Sequence, residues 1–289
     1  MAEEAEQQLR AYVEYLRDMG IHNFYRQGEP VYAEPASVPA AAVVAEARPL
    51  PVKSAAVVVE ERKVVAVPSR PAFLEPPIPK LVSFDDLAPV PESRVAAAQK
   101  SDALVAIQTE IGDCTRCPLA YAGRRKIVFG DGDPNARLMF VGEGPGADED
   151  ASGVPFVGKA GQLLNNMIQA MGLKREEVYI ANIVKCRPPA NRVPEPAEAN
   201  TCDQFLLQQM DVVQPQVVVA LGATAAMYLL GVKQSLSTLR GRWHSCRGAK
   251  LMVTYHPAFL LRDPRQKGEA WKDLQMVMAE MGLKAPARG

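Results

Sequence analysis

From Arg94 onward, apolar residues recur at two distinct periods. Helical spacing, with apolar positions three or four apart, runs over Arg94–Ile111, Gly158–Met171, Glu195–Val213, Ala223–Leu230 and Gly268–Met281. Between these lie apolar runs of strand length, Arg137–Val141, Val178–Val184, Val217–Leu221 and Leu251–Tyr255. Strands without polar alternation are buried on both faces, and strands that alternate with helices form a parallel sheet covered on both sides. The predicted fold class is therefore α/β, a three-layer α/β/α sandwich with a central four-stranded, mainly parallel sheet. Ligands of such sheets bind beyond the carboxyl ends of the strands. Here those ends carry Gly142-Glu143-Gly144-Pro145-Gly146, Lys185-Cys186-Arg187-Pro188, Gly222-Ala223-Thr224 and His256-Pro257. Glycine, proline and chemically capable side chains gather where a site is expected.

The first third of the chain follows another pattern. Leu9, Tyr12, Val13, Leu16 and Met19 stand close to helical spacing and stop at Gly20, which predicts a short amphipathic helical segment over residues 1–28. Residues 30–91 then carry 12 of the 24 prolines with no sustained period. Proline removes backbone donors, so residues 29–93 read as a Pro/Ala/Val-rich disordered linker. The expected catalytic domain spans residues 94–285.

Charge sharpens this division. The formal net charge is zero, but residues 1–92 hold 9 Lys/Arg against 14 Asp/Glu, and residues 93–289 hold 24 against 19. A mildly basic domain behind an acidic extension suits a polyanionic partner, a weak indication by itself. The N-terminus lacks a basic segment leading into an apolar core, and Gly222 and Thr224 interrupt the most apolar stretch. The reading is a cytoplasmic chain with no membrane contact. Without an export signal, its five cysteines argue against a disulfide framework.

Four of those cysteines suggest a metal centre instead. Cys114 and Cys117 form a C-x₂-C pair, and Cys186 and Cys202 follow at a strand end and on the next helix. Four thiolates hold either a tetrahedral zinc or a [4Fe–4S] cluster, and spacing does not choose between them. Cys246 is left over as an unligated thiol. A second motif is deceptive. Gly153 to Lys159 matches the phosphate-cradling G-x₄-G-K loop, but Ala160 replaces the Ser or Thr that would ligate magnesium. This argues against nucleotide hydrolysis, although the helix start at Gly158 and Lys159 is a candidate DNA-phosphate contact.

Taken in order, four motifs and the cysteine spacing resemble the family 4 uracil-DNA glycosylases over roughly Arg94 to Met281. They are Gly142-Glu143-Gly144-Pro145-Gly146-Ala147-Asp148-Glu149, Gly153 to Gly161, Asn182-Ile183-Val184-Lys185-Cys186-Arg187-Pro188-Pro189, and His256-Pro257-Ala258. The resemblance implies an α/β/α fold, a [4Fe–4S] cluster on Cys114, Cys117, Cys186 and Cys202, and excision of uracil from DNA, the first step of base-excision repair. The expected agent is a monomer acting on uracil-containing DNA, and residues 1–28 are a candidate docking segment for a replication or repair protein.

The residue chemistry agrees. An enzyme acting on a base in DNA extrudes it and reads its Watson–Crick edge. With one amide, Asn182 can accept from uracil N3–H and donate to O4, whereas cytosine presents the reverse pattern. Phe156 offers a face for stacking. The resemblance assigns His256 as the donor to uracil O2, where negative charge develops, and gives the Gly144–Pro145 backbone to the base. It sets Glu149 against the thymine methyl group. Gly144 stands where better-known uracil glycosylases carry an aspartate, so Glu143 is only a partial substitute as water-activating base, and leaving-group stabilisation is the expected main driver. Leu260, Leu261 and Arg262 resemble the wedge that fills the vacated space in the duplex; otherwise they are a packed helix start. Competing readings are a superfamily member that binds or crosslinks uracil-DNA with weak turnover, and an iron–sulfur redox or sensing protein.

Overall fold

The computed structural model describes residues 81–284, so the segment expected over residues 1–28 and most of the expected linker lie outside the described residues. One sheet contains six strands: β1 (Asp131–Gly132), β2 (Leu138–Gly142), β3 (Tyr179–Asn182), β4 (Val217–Leu221), β5 (Trp243–Cys246) and β6 (Ala249–Thr254). Their spatial order is β1-β3-β2-β4-β6-β5. The inner four are parallel and are the four predicted strands. Every residue of β2, β3 and β4 is buried, which is why these strands read as unbroken apolar runs.

Side chains alternate between the two faces. Met139 and Val141 of β2 pack into one core with α2 (Lys100–Ile111), α5 (Pro196–Val213) and α6 (Ala223–Leu230). Leu138 and Phe140 point the other way, into a core shared with α4 (Lys159–Ala170) and α9 (Lys267–Met281). Each buried aliphatic side chain contributes about 1.5–3 kcal/mol of transfer free energy. Two such layers hold the α/β/α sandwich around its sheet.

The two edge strands are additions to the expected four. β1 is only two residues long, and β5 carries Trp, His, Ser and Cys without strand-like alternation. Both pair antiparallel with their neighbours. β5 and β6 join through Arg247 and Gly248, both at positive φ (52° and 75°), the conformation a tight two-residue hairpin requires.

Arg247 orders part of the segment expected as linker. Within it, Phe84 is buried in the helical turn α1 (Phe84–Leu87). The Arg247 guanidinium donates to the carbonyls of Phe84, Ala88 and Pro89, and it grips both carboxylate oxygens of Asp211. Proline content hid this segment, and a distant arginine holds it. Removing that guanidinium leaves several acceptors and a half-buried carboxylate unpaired. Arg247→Ala is expected to cost about 3 kcal/mol. Urea denaturation checks the loss, and limited proteolysis is expected to cut first between residues 81 and 93.

The remaining short helices are α3 (Ala147–Ser152), α7 (Leu236–Leu239) and α8 (Pro257–Arg262). α3 and α8 directly follow β2 and β6, so both sit at the sheet's carboxyl edge. No described helix is long and apolar enough to cross a membrane.

Candidate active site

β2 lies in the middle of the sheet, its chain passing first to β3 on one side and later to β4 on the other. The loops diverge at that reversal and leave a cavity of about 580 Å³ beyond the carboxyl edge. Glu143, Gly144 and Pro145 line it after β2, Asn182 from the end of β3, and His256 after β6. Glu149, Phe156, Gly158, Lys159 and Arg262 also reach it. The fold thus brings the four separated motifs to one place.

His256 is held in a defined state. It is the N-cap of α8, and its Nδ1 accepts the Ala258 backbone N–H at 3.1 Å. An Nδ1 that accepts carries no proton. Burial, reinforced by the positive Arg262, lowers the imidazole pKa to about 4. The ring is therefore neutral at physiological pH, and its one proton sits on Nε2, for which the described residues provide no acceptor. A neutral donor facing the cavity can meet a developing anion without first losing its proton. Gly222 makes room for it: a Cβ at this position, where φ is +93°, would lie 3.1 Å from the His256 Cβ.

Asn182 is 1% exposed, and its Oδ1 is buried with no hydrogen-bond partner among the described residues. Leaving an acceptor so costs about 1–3 kcal/mol, a cost a ligand donor would remove. Gly142 permits the arrangement, since a Cβ there would fall 2.6 Å from Phe156 Cζ and closer still to Asn182 Oδ1. The Phe156 ring stands 5.6 Å from that of His256, tilted by 34°. Its backbone is left-handed (φ 53°), a conformation that costs a bulky residue on the order of 1–3 kcal/mol. Arg175, in a single turn between α4 and β3, holds it there. One guanidinium nitrogen donates to the Phe156 carbonyl (3.1 Å) and Asn165 Oδ1 (3.0 Å), the other to the Pro155 carbonyl (2.6 Å). The sequence offered no sign of this clamp, because Arg175 lies outside every motif.

Glu149 is occupied. One carboxylate oxygen accepts from Val157 and Gly158 N–H (2.9 and 3.0 Å), and the other from Gly146 N–H (3.0 Å). It ties the loop bearing Phe156 to the start of α3. The Gly158 N–H, an expected phosphate contact, thus donates to Glu149 in this structure, and Lys159 beside it is exposed. Glu143 is partly buried, and burial raises its carboxyl pKa, partly opposed by a hydrogen bond from Thr224.

The expected wedge divides. Leu260 is 1% exposed on the buried face of α8, so its side chain is not presented to a duplex. Leu261 on the same helix is 44% exposed, and Arg262 lines the cavity. The segment from Pro188 to Val193 forms another wall that sequence reasoning did not place. The Pro188-Pro189 pair was its only sign. Its Arg192 forks onto both oxygens of the buried Glu198 (2.8 and 2.6 Å), holding that carboxyl below the usual range.

On the β3 side, Cys114, Cys117, Cys186 and Cys202 line one small, mostly apolar cavity. Three sulfurs face hydrogen-bond donors: Arg124 Nη1 stands 3.4 Å from Cys186 Sγ, Arg116 Nη1 3.6 Å from Cys114 Sγ, and the Lys185 backbone N–H 3.3 Å from Cys202 Sγ. No three His, Cys, Asp or Glu side chains among the described residues are grouped to hold a single metal ion. Cys246, the last residue of β5, is buried and does not line that cavity.

Comparison with known proteins bears on both places. Residues 129–275 match the Uracil DNA glycosylase superfamily. A type-4 uracil-DNA glycosylase of Thermotoga maritima is 46% identical over 161 residues, 54% of this chain and 82% of that protein. Namesakes from Pyrobaculum aerophilum (43% over 174 residues, 57% and 88%) and Archaeoglobus fulgidus (38% over 188 residues, 62% and 94%) are similar to it as well. With this identity across most of each relative, and with the motifs converging on one cavity, the chain belongs to the type-4 uracil-DNA glycosylases of the uracil DNA glycosylase superfamily.

Proposed function

We infer that the protein hydrolyses the N-glycosidic bond of deoxyuridine in DNA, releasing uracil and leaving an abasic site for repair. The observation that carries the reading is the buried, unpartnered Oδ1 of Asn182, set beside Phe156 and opposite a neutral His256. The edge read is that of uracil rather than cytosine: its N3–H donates to Oδ1 and its O4 accepts from the amide nitrogen, and thymine, which shares this edge, differs by its 5-methyl group. Phe156 stacks on the ring. Nε2–H of His256 faces O2, where charge accumulates as the bond to the sugar breaks, and acts as an oxyanion donor. The Gly144–Pro145 backbone borders the base, and Glu149 shapes the pocket through the loop it ties. Glu143 lines the pocket and serves to orient water, while stabilisation of the leaving group is the main driver. Leu261, Arg262 and Lys159 are the parts that meet the surrounding DNA.

An oligonucleotide with a single uracil, treated with alkali after incubation, tests this. Strand cleavage is expected at uracil opposite guanine or adenine, with none at thymine. A covalent protein–DNA adduct in place of released uracil would instead favour the crosslinking relative.

Cys114, Cys117, Cys186 and Cys202 would hold a [4Fe–4S] cluster. Donors aimed at three sulfurs suit thiolates that carry negative charge. A cluster there supplies a cross-link between the 114–117 segment and the β3–α5 connection, a structural role. About four irons with acid-labile sulfide per chain are expected, with Cys202→Ser losing both along with thermal stability. One zinc per chain and no sulfide would sink the assignment. A cytoplasmic monomer that docks a repair or replication protein through residues 1–28 completes the proposal, and unchanged pull-downs after deleting those residues would remove its last part.

A further inference from the structure

We propose that the Pro188–Val193 loop is a second jaw for duplex DNA, with Val193 pressed against the base pair that flanks the extruded nucleotide on the side away from Leu261. The inference rests on the glycosylase reading. Val193 is 57% exposed at the mouth of the cavity, and a lone exposed valine would mean little. What distinguishes it is how firmly it is held. Ala190 and Asn191 both take left-handed backbone conformations (φ 52° and 54°), unusual for two successive residues that are not glycine. Arg187 Nε donates to Asn191 Oδ1 at 2.8 Å. The Arg192 guanidinium donates to the Val193 carbonyl at 3.1 Å while its fork sits on Glu198, and Glu198 also accepts the Glu195 N–H at 2.8 Å. Strained backbone persists where its surroundings over-determine it, and such places are typically functional. Here the effort presents an apolar side chain to solvent.

Topology supplies the partner. Val193 follows β3 and Leu261 follows β6, and these strands lie on opposite sides of the β2–β4 centre beneath the cavity. An extruded base leaves a gap with a base pair above and below. A single wedge supports one of them, whereas two aliphatic side chains flanking the pocket mouth support both and resist re-stacking. Single-stranded substrate has no such gap to hold open.

The test is the quotient of kcat/KM on a uracil duplex over kcat/KM on the same uracil strand alone. Val193→Ala is expected to lower this quotient about tenfold, and Val193→Leu to restore it to within about twofold of the parent. 2-Aminopurine placed beside a non-cleavable 2′-fluorodeoxyuridine in the duplex should brighten less on binding to Val193→Ala than on binding to the parent. A quotient unchanged in Val193→Ala overturns the jaw while leaving the glycosylase reading intact. If the parent releases no uracil from either substrate, the failure lies with that reading instead.

Discussion

Asn182→Asp lowers kcat/KM for uracil release roughly 10²–10³-fold. The variant keeps shape and an acceptor but loses the donor to uracil O4, and it places an ionisable group where the described residues offer Oδ1 no partner. Losing that bond and setting an acceptor oxygen against O4 costs about 3–4 kcal/mol, and each 1.36 kcal/mol is tenfold in rate. Asn182→Ala should fall into the same range. Single-turnover release of labelled uracil measures the effect, with iron content followed to confirm that the variant is folded. Activity within tenfold of the parent in both variants would remove Asn182 as the reader of the base.

His256→Ala acts on a different parameter. The Nε2 donor strengthens its bond only as charge reaches O2, so the loss should appear in kcat, about 10²–10³-fold, with KM nearly unchanged. The same residue leaves a mark on stability. Its folded pKa of about 4 lies below the ordinary value of 6.5, so the unfolded chain takes up the proton first. Stability tied to His256 is thus complete above pH 6.5 and is lost as pH falls towards 4, by about 3 kcal/mol. Protonating Nδ1 would also break the cap on the Ala258 N–H. Urea unfolding at pH 7 and pH 4 should show the parent losing about 3 kcal/mol more than His256→Gln, since carboxylate contributions are common to both. Equal losses would mean that the imidazole is not held neutral. The acid limb of kcat should correspondingly lie well below pH 6.5.

Much of the architecture was legible because its causes are local. β2, β3 and β4 are buried on both faces, so their residues are apolar without interruption, and α4 and α5 keep helical spacing along the face they bury. β1 and β5 escaped this reading. An edge strand of two residues, or one reading Trp-His-Ser-Cys, owes its form to its neighbour rather than to its own pattern. The same holds for Phe84, where abundant proline suggested a loose chain and the bonds from Arg247 decided otherwise. Within the site, residue types pointed to Asn182, Phe156 and His256, yet Leu260 and Leu261 were indistinguishable until α8 put one inside and one outside.

The amino-acid order alone determined the sandwich, the carboxyl edge as the place of chemistry, four cysteines of a kind that bind metal, and the family. Each of these follows from near-neighbour spacing or from residue type. Tertiary structure decided which Glu149 oxygens were already taken, which histidine nitrogen holds the proton, how Arg175 keeps Phe156 in a strained turn, and where Val193 projects. These depend on groups far apart in the chain meeting at hydrogen-bonding distance, and no local periodicity encodes such a meeting.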